Sequence, residues 1–401
     1  MDLNFAAEDE AFRQEVRDFL DKAFDDELRA AMKKTRAGYM PKHLHIRWQK
    51  ALHEKGWATP HWPVEYGGCG WTPTQKYIFD AEMSAAGAPI TIPFGPRMLA
   101  PVLMKFGSQK QKDEFLPKIQ SSDIIFCQGY SEPGSGSDLA SLKMKCEDKG
   151  DHWLLNGSKI WTSVAQYADW IFCLVRTSNE GKPQEGISFV LVPMDADGVT
   201  VDPIITADLP EKGYQEVNQV FFEDVKIPKE NMVGEPNKGW TYAKYLLEFE
   251  RGGTYSQGLK RGMEKVRQIA SEEREFGERV IDDPVFRKKM ADAQSLIHAM
   301  EFTELRVLGR LSQGQNPGPE SSMIKCRGSE LQQLVSELAF EAAGIKQAPF
   351  QPLKWGSNEP PIGPEWASGV GPRMYNYRKV SIYAGSNEIQ RNIMAKLVLG
   401  L

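Results

Sequence analysis

The sequence predicts an α+β multi-domain protein: an N-terminal helical domain over 1–120, a middle antiparallel β-domain over 121–232 and a C-terminal helical bundle over 233–401. Three observations carry this. At 401 residues the chain is too long for one small core, so two or three subdomains are expected. The hydrophobic period changes twice along the chain, from helical to strand-like and back. No strand is followed by a G-x-G-x-x-G turn opening a helix, so no dinucleotide-binding α/β domain is expected.

In the first third, Phe12, Val16, Phe19, Leu20 and Ala23 fall on one helical face, with Glu15, Arg17, Asp18 and Lys22 largely outside it. A second helix, "HIRWQKALHEKGW", leads into the Gly/Pro-rich turn "PVEYGGCGWTP". "GSQKQKDEFLPKI" then reads as a capped amphipathic helix. The middle third carries "ADWIFCLVRT", "GISFVLVPM" and "VNQVFFEDVKIP", short runs rich in Val, Ile and Phe. In "DHWLLNGSKIWTS" the pair Asn156-Gly157 between apolar runs predicts a hairpin turn. The last third predicts helices around 238–275, 284–313 and 318–346, packed as an up-down bundle. Residues 348–372 are rich in Pro and Gly and are expected not to be helical. A final helix starts near Ser386.

Bulk properties exclude several classes. The chain is 41% hydrophobic and 26% charged, with a net charge of −5 and no basic run interleaved with aromatics, so nucleic acid is not an expected partner. The five cysteines are scattered without a C-x-x-C or a nearby His, which predicts no structural metal and no disulfide framework. The start, "MDLNFAAEDEAF", lacks a basic segment and an apolar core, and no apolar run is long enough for a bilayer. A cytoplasmic protein with no membrane attachment is the expectation.

Seven stretches in order, "PVEYGGCG" (63–70), "FGSQKQKDEFLPKI" (106–119), "YSEPGSGSD" (130–138), "GSKIWTS" (157–163), "FEDVKIP" (222–228), "VGEPNKGW" (233–240) and "IYAGSNEIQR" (382–391), resemble those of the acyl-CoA dehydrogenases over nearly the whole chain. The resemblance implies FAD-dependent α,β-dehydrogenation of an acyl-CoA thioester, with electrons passed on to an electron-transferring flavoprotein. No side chain accepts hydride reversibly, so that half of the chemistry belongs to a cofactor. By matching position, Tyr130 and Ser131 face the pyrimidine side of the flavin, Trp161 shields the ring and Ser163 bonds near its N5–O4 edge. Ser137 matches a residue that touches the CoA chain. Ser386, Asn387 and Glu388 open the last helix, where the family binds the ADP half of FAD, and free N–H groups at a helix N-terminus suit phosphate. Taken singly, each serine reads as well as a turn or cap residue, and Trp161 as a core aromatic.

The closing motif departs from the family's usual Tyr-Glu-Gly-Thr/Ser-x-x-Ile-Gln-Arg, because Ala384 stands where the catalytic Glu is expected. In one branch of the family the base lies instead in the helix after "GxxNxGW", directly before an Arg. Here "YLLEFERGG" puts Glu250 before Arg251, so the resemblance implies Glu250 as the base and Arg251 beside the substrate; Glu248 is the alternative, and both also read as solvated helix charges. A base near neutral pH needs a carboxylate pKa raised to about 6–7. The backbone N–H of Ala384 survives the loss of the Glu side chain. In the family it bonds the thioester carbonyl as enolate charge develops, a contribution of about 3–4 kcal/mol per donor.

A second departure concerns assembly. Homo-oligomeric members complete each neighbour's FAD site with Arg-x-x-Phe-Gly and Gln-x-x-Gly-Gly-x-Gly. The first reads Glu273-Arg274-Glu275-Phe276-Gly277 here, with an acid in place of the Arg, and the second is absent. This resembles the subunits of heteromeric steroid side-chain and pimeloyl-CoA dehydrogenases. It implies a homologous second subunit in a heterotetramer, with a homo-oligomer as the alternative. The implied acyl group is bulky (a steroid side chain), branched or dicarboxylic. A flavin oxidase or monooxygenase on the same fold, or a non-catalytic partner subunit, are the rival functions.

Overall fold

The computed structural model describes residues 5–35, 39–209, 215–250, 254–313, 318–351 and 359–401, with the side chains of 248–250 outside that description. The base assignment therefore rests on a residue whose backbone alone is described, and Arg251 lies outside the described residues. The three-part layout of helices, sheet and helices is the one observed.

The N-terminal part comprises α1 (Ala7–Ala23), α2 (Asp26–Lys34), α3 (Lys42–Glu54) and α4 (Pro73–Ala86). α1 buries Phe12, Val16 and Leu20, one per turn. α4 opens with a capping box between Thr72 and Gln75, has Pro at its first position and stops at Gly87. A π-helical turn at Phe94–Leu99 runs into α5 (Ala100–Phe106), and α6 (Gln109–Ser121) opens on a second capping box, Ser108 with Gln111. The buried Gln111 amide donates to the carbonyls of Glu230 and Met232, fastening α6 to the end of the sheet.

The sheet contains β1 (Phe126–Gly129), β2 (Lys145–Asp148), β3 (His152–Ser163), β4 (Trp170–Arg176), β5 (Ile187–Pro193), β6 (Val199–Pro203) and β7 (Val217–Pro228), in the order β1-β4-β2-β3-β7-β6, with β5 paired to β4. Its long ladders β3–β7 and β4–β5 are antiparallel, but β1 runs parallel to β4, and β2 meets β4 in parallel at Lys145 and Arg176. The expected antiparallel domain is thus mixed at β4, because the chain leaves β1, makes β2 and β3, and returns in the same sense.

Asn156-Gly157 is not a hairpin turn. It lies inside β3 at a bulge, where the register to β7 slips between Leu155 and Gly157. Asn156 exchanges two bonds with Asp224, whose φ is +50°. Gly157 has φ +146°, and a Cβ there would come within 2.9 Å of the Met144 backbone. The positive-φ tolerance that favours this pair in turns is used for a close strand approach.

The C-terminal part holds α7 (Gly239–Glu250), α8 (Ser256–Glu272), the two-residue strands β8 (Arg274–Glu275) and β9 (Glu278–Arg279), α9 (Pro284–Ser312), α10 (Glu320–Ala343), α11 (Ala367–Asn376) and α12 (Asn387–Met394). Two expectations fail here. The helix expected at 238–275 is two: α7 packs Tyr242, Ala243 and Leu246 into the core of the sheet, whereas α8 packs with α9 and α10 in the bundle. The 348–372 stretch does contain helix, since α11 starts at Ala367 and runs through Pro372; Trp366 just before it is buried and donates to Glu272 at 2.7 Å. Tertiary anchoring outweighs the loss of one N–H there.

Among the described residues no helix is long and apolar enough to cross a membrane, and no group of three or more His, Cys, Asp or Glu is placed to hold a metal.

Candidate active site

The loop after β1 and the end of β3 are built as one unit. Lys159 is fully buried and pairs with Glu132 at 2.8 Å, with its ammonium also donating to the Tyr130 carbonyl. Glu132 in turn accepts from the Lys143 and Met144 amides. Burial pulls the Lys159 pKa down while Glu132 opposes it, as for a charge held by its partner inside a core. The Ile160 amide donates to the Ser131 carbonyl at 2.9 Å, so Tyr130 and Ser131 lie against Lys159 and Ile160, directly before Trp161.

Beyond Lys159 the strand twists. Its register to β7 slips between Lys159 and Thr162, and Trp161 and Val164 both have positive φ, +61° and +56°. The slip takes Trp161 out of the in-and-out alternation and leaves its indole 58% exposed. The half-buried Ser163 pairs with Val217 at the start of β7. Thr162 is buried, and its hydroxyl has no hydrogen-bond partner among the described residues.

The C-terminal turn forms the other side. Ala384 has φ +55°, followed by Gly385 at +77°. A left-handed alanine costs about 1–2 kcal/mol, so the surroundings must hold it. Gln390, fully buried on α12, donates to the Ala384 carbonyl at 3.0 Å, while its own amide oxygen has no partner among the described residues. Ser386 caps α12 by accepting from the Ile389 amide. Asn387 is buried and turned inward, accepting from Lys325 and Ser329 on α10. Glu388 is exposed, and its own backbone amide with the Ser386 hydroxyl holds its carboxyl below the usual range.

The two sides meet through Glu216. Its carbonyl accepts from the Val164 amide, and its carboxylate accepts from Lys379 at 2.5 Å and Asn376 at 2.9 Å. Ser137 is exposed at the tip of its Gly/Ser loop, apart from these contacts. Lys159, Glu216 and Lys379 did not stand out in the sequence. The first lies within "GSKIWTS", where a Lys amid apolar strand residues was the available signal.

Known families account for nearly the whole chain. The acyl-CoA dehydrogenase N-terminal domain matches residues 6–123, the middle domain 127–225 and the C-terminal domain 237–399. The chain belongs to the acyl-CoA dehydrogenase family. Among its acyl-CoA dehydrogenase relatives is IpdE1 of Mycobacterium tuberculosis (strain ATCC 25618 / H37Rv), 35% identical over 88% of this chain and 87% of its own length. Among solved structures, the ChsE4-ChsE5 complex from Mycobacterium tuberculosis aligns with TM-score 0.83 and 28% identity, over 100% of this chain and 99% of the other. The Tcur3481-Tcur3483 steroid acyl-CoA dehydrogenase aligns with TM-score 0.82 and 29% identity, again over 100% and 99%.

This acyl-CoA dehydrogenase is an oxidoreductase, and the family's cofactor is FAD. The residues present fit that group. A bare indole beside a buried hydroxyl that has no partner among the described residues suits a planar, hydrogen-bonding ring.

Proposed function

We propose that the chain dehydrogenates a bulky acyl-CoA thioester, with a steroid side-chain, branched or dicarboxylic acyl group. The observation that carries this is the joining of the Tyr130–Ser163 strand region and the Ala384 turn through Glu216, in a chain whose usual Glu has become Ala. Trp161 and Ser163 would hold FAD, which would supply the hydride acceptor. Glu250, at the end of a helix packed on β5, removes the α-proton. The Ala384 N–H stabilises the enolate charge as it develops on the thioester oxygen. Tyr130 and Ser131 would orient the ring from the adjoining loop, Ser137 would contact the CoA chain, and Arg251, outside the described residues, keeps the substrate-binding role that the resemblance implies. The electrons then go to an electron-transferring flavoprotein, and the setting is the cytoplasm.

The steroid assignment draws support from the neighbour described as a steroid acyl-CoA dehydrogenase, and the heteromer from neighbours solved as pairs of named proteins. Local geometry favours the heteromer over self-completion. Arg274 is turned back to the Gly277 carbonyl, Glu273 is held by Lys346 at 2.6 Å, and Phe276 is fully exposed at φ +50°. An Arg folded onto its own hairpin does not stand in for one offered to a neighbour's pyrophosphate.

Two measurements test this. The flavin-to-protein ratio of the chain purified alone should fall well below one and rise when the homologous subunit is co-expressed; full occupancy alone, with normal turnover, would remove the heteromer. Glu250→Gln should lower kcat about 10²–10⁴-fold with flavin binding intact. Unchanged turnover would send the search for the base elsewhere, and rapid reoxidation by oxygen would favour an oxidase.

A further inference from the structure

We infer that Glu216 is a positioning residue that sets the Ala384 N–H against the flavin strand. The inference rests on the dehydrogenase reading above and adds to it a group that neither the family motifs nor the base assignment includes.

Glu216 immediately precedes β7, and each of its polar ends serves a different half of the site. Its backbone carbonyl accepts from the Val164 amide at 3.0 Å, and Val164 follows Ser163 directly. Its carboxylate, 11% exposed, accepts from Lys379 Nζ at 2.5 Å and from Asn376 Nδ2 at 2.9 Å. Asn376 Nδ2 also donates to the buried Asp208 at 2.8 Å, so two carboxylates converge on one amide. Lys379 then closes the turn toward Ala384, because its carbonyl accepts from the Ile382 amide at 2.8 Å and the Tyr383 amide at 3.2 Å. The path from Ser163 to Ala384 therefore runs Val164, Glu216, Lys379, Tyr383, through direct hydrogen bonds and peptide links alone. Tyr39, from the N-terminal part, closes this region from a third side: burial pushes its phenol pKa up, and Glu216 and Tyr383 push it further.

The chemistry explains why such a link matters. A donor aimed at developing enolate charge acts over hydrogen-bond distance, and a displacement of about 1 Å can cost 10²-fold in rate. Ala384 also sits in a backbone region that alanine disfavours, so its orientation depends on being held. Charge-assisted bonds to a nearly buried carboxylate are stronger and shorter than neutral ones, which suits them to fixing one turn against one strand.

The test uses Glu216→Gln, Lys379→Met, their double variant and Lys379→Arg in the full chain with FAD and its partner subunit. Two readouts are taken: steady-state kinetics, and amide hydrogen exchange at Val164, Ile382 and Tyr383. The inference predicts that Glu216→Gln and Lys379→Met each lower kcat about 10–100-fold while KM moves less than about threefold. The double variant is no worse than the poorer single, and Lys379→Arg recovers most of the rate. Exchange at Val164 also quickens in Lys379→Met, although the Val164 amide bonds the Glu216 carbonyl and not its carboxylate. Unchanged kcat, additive losses, or exchange changes confined to Ile382 and Tyr383 would overturn it. Failure of the wild-type assembly to oxidise any acyl-CoA would remove the dehydrogenase reading and this role together. In that case the exchange at Val164 still reports whether the two halves are linked, so the two failures are told apart.

Discussion

The two halves of the site are held by different physics. On the flavin-strand side, Lys159 and Glu132 form an ion pair inside the core of the sheet, and the partners described for their side chains, Tyr130, Lys143 and Met144, lie close by in the chain. On the Ala384 side, the turn is held by polar contacts that reach far along the chain, to Glu216 from Lys379 and Asn376. The first half is a shelf built from contacts within the middle domain. The second depends on contacts between the C-terminal segment and the sheet. On the proposed function, the ring site would draw on contacts local to residues 130–163, whereas the Ala384 donor would depend on contacts made across the chain.

The largest effect that would break this contrast comes from Lys159. Lys159→Met leaves the Glu132 carboxylate, 9% exposed, without its charged partner, and breaking a buried pair from one side costs about 3–5 kcal/mol. Urea unfolding should show that loss, with Tyr130 and Ser131 no longer fixed against Ile160 and FAD affinity falling in parallel. The double variant Lys159→Met/Glu132→Gln should recover part of the stability, because the stranded charge is gone. A loss under about 1 kcal/mol in the single variant would mean that the shelf is not held by this pair.

The same contrast explains what the sequence could disclose. Local signals were legible: the capping box at Ser108, the one-per-turn stripe of α1 and the helix opening at Ser386 all depend on residues a few positions apart. The resemblance in "YSEPGSGSD" and "GSKIWTS" pointed to a loop and a strand that the structure does bring side by side. Signals with two uses were misread. Asn156-Gly157 offers positive φ, which serves a bulge as well as a turn, and only the approach of Met144 decides between them. Glu216 could not be found, since its partners Asn376 and Lys379 lie 160 and 163 residues away and nothing in its own surroundings marks it. The split between α7 and α8 is of the same kind, decided by which core each helix joins.

A second, smaller test concerns the N-terminal prop of the Ala384 side. His45 on α3 is 1% exposed; its Nε2 accepts from the Met40 amide at 2.8 Å, and its ring lies 5.6 Å from that of Tyr39. Burial lowers its pKa from 6.5 to about 4. The folded state therefore resists the proton that the unfolded state accepts. The stabilisation is fully present above pH 6.5 and is lost as pH falls from 6.5 toward about 4, by about 3 kcal/mol in all. Unfolding free energies measured between pH 7 and pH 4 should show this slope, and His45→Phe should flatten it while costing about 1 kcal/mol at pH 7 for the lost acceptor. If Tyr39 props the turn as the contacts indicate, exchange at Tyr383 should quicken over the same pH window. A pH slope identical in both proteins would exclude His45 as its source.

The smallest effect is expected at Ser386, and it sharpens the comparison from the other end. The Ser386 hydroxyl accepts from the Ile389 amide at 3.4 Å, a long bond for a cap, on a short helix. Ser386→Ala should cost at most about 1 kcal/mol. Other contacts keep α12 in place, among them the bonds Asn387 accepts from Lys325 and Ser329 and the one Gln390 donates to the Ala384 carbonyl. Stability and flavin affinity should therefore separate in this variant. The melting temperature should move by only a few degrees, while FAD affinity falls more if the start of α12 receives its phosphates, because the cap sets which amides point outward. Asn387→Ala should reverse the order, disturbing packing against α10 more than cofactor contact. Equal losses of stability and affinity in both variants would mean that α12 acts as one rigid block, and the Ala384 side would then resemble the flavin shelf more closely than its long-range contacts suggest.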